Sequence, residues 1–396
     1  MASIETETNR PAVPPEGARI TAEVDVEPGE QGDGGVERHI ALCIDTSGSM
    51  NGAKISQARD GASWVFGLLE PADFVSIVAF DSSAEVLLGP VQWGDLDRDD
   101  ALEQVEALSA GGGTDMYAGL ETARDSLLSL DHDPGAGADA VRRLLLLSDG
   151  KDKDHTVAEF EGLADDIDAS GVRIEAAGIG QDYNQDTIRT LGTTARGKWT
   201  HLDAAGDIES FFGEAVESAS AVVAADAELE LDAADGVEVS DVYRALPQAQ
   251  DVELEWDANA ATVKLPDLTE RERQRVVMKV AAPAHDPAER VPLVQVRLRA
   301  RGDEATDRIA VDYTEETEEL AEANEAVQLD HQETVVRAEL GKGNVEAAET
   351  QVEQMTQVHG ETEVVEDIAR ETQVVKEGGK AERSRATKLV DEERVE

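Results

Sequence analysis

Asp45, Ser47 and Ser49 stand at spacing two where the apolar run HIALCID, residues 39 to 45, gives way to TSGSMNG. A strand that stops on such a pattern can aim several small oxygen side chains at one point. Mg²⁺ and similar hard cations ask for this, since they take about six oxygen ligands. A strand-to-helix turn is also where open α/β sheets place their ligands, and GAKISQARDGASWVFGLLE follows with helix-like patterning. Other chemistries fit these residues less well. A serine nucleophile needs a base within hydrogen-bond reach and a third group to orient that base. No histidine neighbours Ser47 or Ser49 in sequence, and the residues around them are not G-x-S-x-G. His39, His132, His155, His201, His285, His331 and His359 show no zinc-like spacing. The GGG at 111 to 113 lacks the GK[ST] of a phosphate loop and reads as a hinge for Thr114. The expectation is a chain that is not an enzyme.

The stretch from 39 to 52 closely resembles the opening of the metal site of von Willebrand factor A (vWA) domains, with its D-x-S-x-S at the end of a hydrophobic strand. Thr114 in GGGTD and Asp149 in LLSDG match the remaining family positions in order and at ordinary separations. GIGQDYN, starting at Gly178, is similar to a turn common in the bacterial and archaeal branch. The resemblance covers roughly residues 38 to 220. It implies a complete metal-ion-dependent adhesion site in which Asp45, Ser47, Ser49, Thr114 and Asp149 hold Mg²⁺ (or Mn²⁺ or Ca²⁺). By the same resemblance, the hydroxyls of Ser47 and Ser49 bind the ion directly, and Thr114 binds directly or through water. Asp45 and Asp149 act mostly through waters. With only two carboxylates nearby the ion stays electrophilic, and in the family an aspartate or glutamate of a partner protein completes its shell. The implied function is a non-enzymatic, metal-dependent protein-binding module. A second reading is a vWA subunit or adaptor for a separate AAA+ ATPase of the MoxR or chelatase type. Met50, Asp115, Lys151 and Lys153 are the expected partner-binding rim, the two lysines lying on DGKDKDH just past Asp149.

The composition bounds the rest. At 396 residues the chain is long enough for two or three domains. Asp and Glu number 86 against 35 Lys and Arg, for a net charge of -51. Acid spread through every segment reads as a solvation habit of a salt-in halophile, and the source is expected to be a halophilic archaeon. An acidic disordered chain is excluded because hydrophobic residues still make up 40% and fall into clear periods. Nucleic acid is not an expected partner, since no basic face offsets this charge against phosphates. Cys43 is the only cysteine, so no disulfide forms within the chain, and it reads as core together with Trp64 and Phe66. The N-terminus lacks a basic start and an apolar run, and no stretch approaches 18 consecutive apolar residues. No membrane span is expected, and the cytoplasm is the expected location.

The elements that must position the site follow in order. Residues 1–17 are expected to be a disordered tail. Residues 18–37 hold a strand, with Ile20, Ala22, Val24 and Val26 alternating against polar neighbours, and then an acidic glycine linker. From 38 to 222 strands and helices alternate, which predicts a doubly wound, mostly parallel six-stranded sheet with five strands parallel. RRLLLLSDG there reads as its fully buried central strand. From 223 to 313 the period changes to two, as in Leu229 and Leu231, Val252, Leu254 and Trp256, or Val294, Val296 and Leu298. About seven short strands there predict an antiparallel β-sandwich, which the strand before the vWA domain joins. Residues 314–396 take helical spacing, with an αα-hairpin at GKGN, where Asn344 is the expected N-cap. The segment after Gly379 is expected to be disordered. DHDPGAGAD at 131 to 139 lacks the closing glutamate of an EF-hand and reads as a solvated loop.

Overall fold

The computed structural model describes residues 2–29, 37–130, 140–149, 152–180, 183–202, 205–270, 272–300, 303–378 and 380–386. The chain divides into two compact units, one of residues 32–222 and one of residues 1–31 with 223–396.

The first unit is built on a six-stranded sheet in the order Ala84–Gln92, Phe74–Phe80, Arg38–Asp45, Val141–Ser148, Val172–Ile179, Trp199–Leu202. Only the Ala84–Gln92 edge strand runs antiparallel; the other pairings are parallel. The central strands are apolar on both faces because helices cover both. Ile40, Leu42, Ile44, Leu145 and Leu147 face one core together with Ala58, Ala62, Ile208 and Phe212 from helices Ala53–Val65 and Ala205–Ser220. Their neighbours Ala41, Cys43, Leu144 and Leu146 face the other. There they meet Leu120, Leu163 and Leu191 from helices Met116–Ser129, Val157–Ala169 and Gln185–Thr194. Strand alternation sorts the side chains to the two sides. Phe66 and Cys43 are buried as expected, but Trp64 is 38% exposed. Its ring lies along the neighbouring helix, where a Cβ on Gly213 would come within 2.4 Å of it. The loop 131–139, read as solvated, lies outside the described residues.

The second unit is a sandwich of two five-stranded sheets. One runs Ser3–Thr8, Ala18–Glu27, Gln274–Ala282, Glu238–Leu246, Gln250–Asp251. The other runs Ala260–Lys264, Glu228–Ala233, Ala288–Ala300, Asp303–Tyr313, Ala12–Val13. All pairs are antiparallel except Ala12–Val13, which runs parallel to Asp303–Tyr313. Ile20, Ala22, Val24 and Val26 enter the core between the sheets with Val276, Met278, Val294 and Val296. Two expectations are corrected here. The tail expected to be disordered supplies strands Ser3–Thr8 and Ala12–Val13; the first hydrogen-bonds along Ala18–Glu27 and sets Ile4 against the core. Conversely, Val252, Leu254 and Trp256 are not a strand beyond Asp251, although Val252 and Leu254 still pack on the core.

The face of Ala18–Glu27 that looked solvent-facing is also covered. Thr21 and Glu23 are buried, because helix Glu325–Lys342 lies over this sheet. Arg275 ties the layers together. It binds both carboxylate oxygens of Asp25, at 2.7 and 2.8 Å, and also pairs with Asp330 of the helix. Burial, partly offset by Arg275, raises the Glu23 carboxyl to about 7. Burial and the nearby Lys279 lower His331 to about 4, and its Nε2 donates to the Asp241 carbonyl at 3.2 Å. Helices Val345–His359, Glu363–Glu377 and Lys380–Ala386 follow, sharing a small core of Val336, Leu340, Ala348, Met355 and Ile368. Gly343 ends the first helix in the left-handed conformation, as GKGN suggests. Asn344 does not cap the next helix through its side chain; its amide reaches back to Glu339 at 2.9 Å. Lys380–Ala386, expected to be disordered, is helical, and 387–396 lie outside the described residues.

Candidate metal centre

Parallel register brings the ends of Arg38–Asp45 and Val141–Ser148 side by side, so Asp45 and Asp149 emerge at the same edge of the sheet. Both carboxylates are fully buried. The Asp45 Oδ1 accepts the Ser47 backbone N–H at 2.8 Å, and its Oδ2 accepts the Ser148 hydroxyl at 2.6 Å. Burial raises the Asp45 carboxyl above its ordinary range, hydrogen bonds from Ser148 and Ser47 pull it back down, and Asp149 pushes it up. The Ser47 and Ser49 hydroxyls are 3.0 Å apart, Ser47 at the start of the short turn Gly48–Met50 and Ser49 within it. Two buried acids and paired hydroxyls on one loop form an all-oxygen donor set, which suits a hard divalent cation.

Thr114 comes from a separate loop that is tied directly to this one. Gly111 N–H donates to the Thr46 carbonyl at 2.7 Å, and Gly48 N–H donates to the Gly112 carbonyl at 3.3 Å. Gly112 sits at φ +72°, and a Cβ there would lie 2.6 Å from an Asp81 carboxylate oxygen. Only glycine makes this close, left-handed passage without strain. Gly113 N–H donates to the Ser82 hydroxyl at 2.7 Å, so the strand end at Phe80 steers the loop from its other side. Thr114 itself is half-buried.

The expected rim divides. Met50 is fully buried in the core below the sheet edge, because the turn Gly48–Met50 points it inward, and it is not on the rim. Asp115 is half-buried and caps helix Met116–Ser129, its Oδ1 accepting the Ala118 N–H at 2.9 Å. Lys153 is exposed, and Lys151 lies outside the described residues. Asp152, unmarked in the sequence reading, fastens the rim: its Oδ2 accepts the Met116 N–H at 3.0 Å and its Oδ1 the Asp154 N–H at 2.9 Å. His155 stacks on Tyr117 at 4.7 Å between ring centres. Asp115, Asp152 and His155 bring one ligand atom each within 4.8 Å of one another. The two aspartates there already accept backbone N–H groups of caps and turns.

Sequence reasoning missed two further residues. Ser148 orients Asp45, and Lys54, in the first turn of Ala53–Val65, places its Nζ 3.0 Å from the Asp149 Oδ2. A signal for Lys54 was present: lysine is scarce in this chain, and a cation in the first turn of a helix opposes the helix dipole unless an anion faces it.

Residues 39–214 match the family model described as von Willebrand factor type A domain. A solved structure described as von Willebrand factor type A from Catenulispora acidiphila superposes at a TM-score of 0.79 with 18% identity, covering 98% of this chain and 97% of that one. The ArnB paralog VWA2 from Sulfolobus acidocaldarius superposes at 0.62 with 16% identity and the same coverages. At these identities the likeness is one of fold. Among curated proteins, "Uncharacterized protein sll0103" of Synechocystis sp. is 25% identical over 241 residues, 59% of this chain. Human inter-alpha-trypsin inhibitor heavy chain H6 is 24% identical over 168 residues, 41% of this chain. The chain spans 55% of the length of the first and 13% of the second. Among the described residues no helix is long and apolar enough to cross a membrane.

Proposed function

With a von Willebrand factor type A domain at residues 39–214, we propose that this chain is a non-enzymatic protein-binding module that grips its partner through a divalent cation held by Asp45, Ser47, Ser49, Thr114 and Asp149. The observation that carries this reading is the pair of backbone hydrogen bonds joining the Thr114 loop to the Asp45 loop beside buried Asp149. Backbone segments that carry these oxygen side chains thereby meet at one sheet edge, which supports the reading. Mg²⁺ is the proposed ion, with Mn²⁺ or Ca²⁺ as substitutes, and when bound it supplies an electrophilic position for an aspartate or glutamate of the partner. Ser47, Ser49 and Thr114 offer neutral hydroxyls, so they add no charge that would quench this pull. Asp45 and Asp149 supply the negative charge that holds the ion, and Ser148 fixes the Asp45 carboxylate through its hydrogen bond.

The chain's acidity sets a condition on such binding. In dilute buffer a net charge of -51 repels an acidic partner; at 1 M salt the screening length falls to about 3 Å, so only direct contacts act. Capture is therefore expected to need both molar salt and a divalent ion. The test is affinity capture from lysate of the source organism at high salt, comparing the full chain with Thr114→Ala, each with Mg²⁺ and with EDTA. A partner held by wild type in Mg²⁺ and lost in the other three conditions supports the reading; an AAA+ ATPase in that fraction would assign the adaptor role. A partner held equally in all four would place binding elsewhere on the chain.

A further inference from the structure

We propose that Lys54 is a tethered cation that opposes the divalent ion at Asp149, weakening ion binding while raising the positive charge the loaded site presents to a partner. This rests on the metal-dependent reading above. The Lys54 Nζ is 3.0 Å from the Asp149 Oδ2, and Asp149 is fully buried while Lys54 is about a quarter exposed. The placement is built, not incidental. Lys54 sits in the first turn of Ala53–Val65, where the helix dipole repels a cation and the facing carboxylate has to offset that repulsion. The chain leaving strand Val172–Ile179 also passes over its stem. Gly180, at φ +84°, lies so close that a Cβ there would be 3.1 Å from the Lys54 Cε and 3.3 Å from its Nζ. A bulkier residue at 180 would push the ammonium off this path.

The consequence follows from charge. Counted as formal charges, Asp45, Asp149 and Lys54 sum to minus one, and a dipositive ion turns this into plus one. With a neutral residue at 54 the loaded site would be neutral instead. It would hold the ion more tightly and pull less on a carboxylate. An ammonium and a dipositive ion on one carboxylate repel each other strongly in a partly buried setting, so the ion must expel the Nζ or bear its charge. In either case Lys54 lowers ion affinity and favours completion of the site by an anion.

The test is calorimetric titration of the full chain with MnCl₂ in 1 M KCl, for wild type, Lys54→Gln, Lys54→Arg and Asp45→Ala, with circular dichroism confirming that each is folded. Lys54→Gln is expected to bind one Mn²⁺ at least about tenfold more tightly than wild type, or about 1.4 kcal/mol. Lys54→Arg keeps the charge and should stay within about threefold of wild type. Lys54→Gln binding no tighter than wild type, while Asp45→Ala loses the site, overturns the role of Lys54 and leaves the metal reading standing. A wild type with no single Mn²⁺ site distinguishable from Asp45→Ala overturns the metal reading itself.

Discussion

Asp45→Asn is expected to unfold at a higher temperature than wild type in EDTA, and to gain nothing when Mg²⁺ is added. The Asp45 carboxylate is fully buried, and burial raises its pKa against the hydrogen bonds of Ser47 and Ser148, with Asp149 adding repulsion. A carboxyl whose folded pKa lies above its unfolded one favours folding most when protonated. That contribution is lost as pH rises from the ordinary carboxylate range through the raised folded value. Once ionised, Asp45 carries the cost of a buried carboxylate, partly offset by the hydrogen bonds of Ser148 and Ser47, and asparagine removes that charge. Wild type in turn should gain about 2.7 kcal/mol from Mg²⁺ at a hundred times its dissociation constant, because the ion binds only the folded state. Melting curves of both proteins at pH 8 in 1 M KCl, with Mg²⁺ and with EDTA, check both parts. If Asp45→Asn is less stable in EDTA, the carboxylate serves the fold instead of an ion; equal stabilisation of both proteins by Mg²⁺ would place the ion elsewhere.

Arg275→Met should loosen helix Glu325–Lys342 from the sandwich at a cost on the order of 3 kcal/mol, the usual result of stripping the cation from buried carboxylates. Asp25, Asp330 and Glu23 all depend on this guanidinium. The loss is expected to vary with pH. In wild type the Glu23 carboxyl is at about 7 against an ordinary 4.5, so its contribution is present below about 4.5 and lost as pH rises through about 7. Without Arg275, which holds that value down, the loss deepens and extends to higher pH. Urea unfolding should show a larger deficit at pH 8 than at pH 5, with faster amide exchange in residues 325–342 as the local signature. A deficit independent of pH, with unchanged exchange in that helix, would mean that the network does not dock it.

What could be read from the sequence was what lies close along the chain. Asp45, Ser47 and Ser49 lie within five residues, so their spacing carries their geometry, and the apolar runs at 40 to 44 and 144 to 147 declare strands buried on both faces. The Met50 assignment failed because a side chain on a tight turn can face the rim or the core with the same spacing, and packing under the sheet edge decided it. Ser148 and Lys54 act through partners about a hundred residues away, at sequence separations of 103 and 95, and no local pattern marks such pairs. The strand Ser3–Thr8 was missed because Ile4 is its one large apolar residue, and its order comes from pairing with Ala18–Glu27. Glu23 looked solvent-facing because alternation tells that a face is polar, not whether a helix from residue 325 onward will cover it.

The central claim is that one divalent ion sits among Asp45, Ser47, Ser49, Thr114 and Asp149. Anomalous diffraction from crystals grown with Mn²⁺ tests it most directly, comparing wild type with Asp45→Ala so that diffuse counterions on so acidic a surface cancel. The expected result is a single strong peak between the Ser47 and Ser49 hydroxyls and the Thr114 loop in wild type, absent in the variant. A peak of equal height in both crystals, or one only at Asp115, Asp152 and His155, would contradict it.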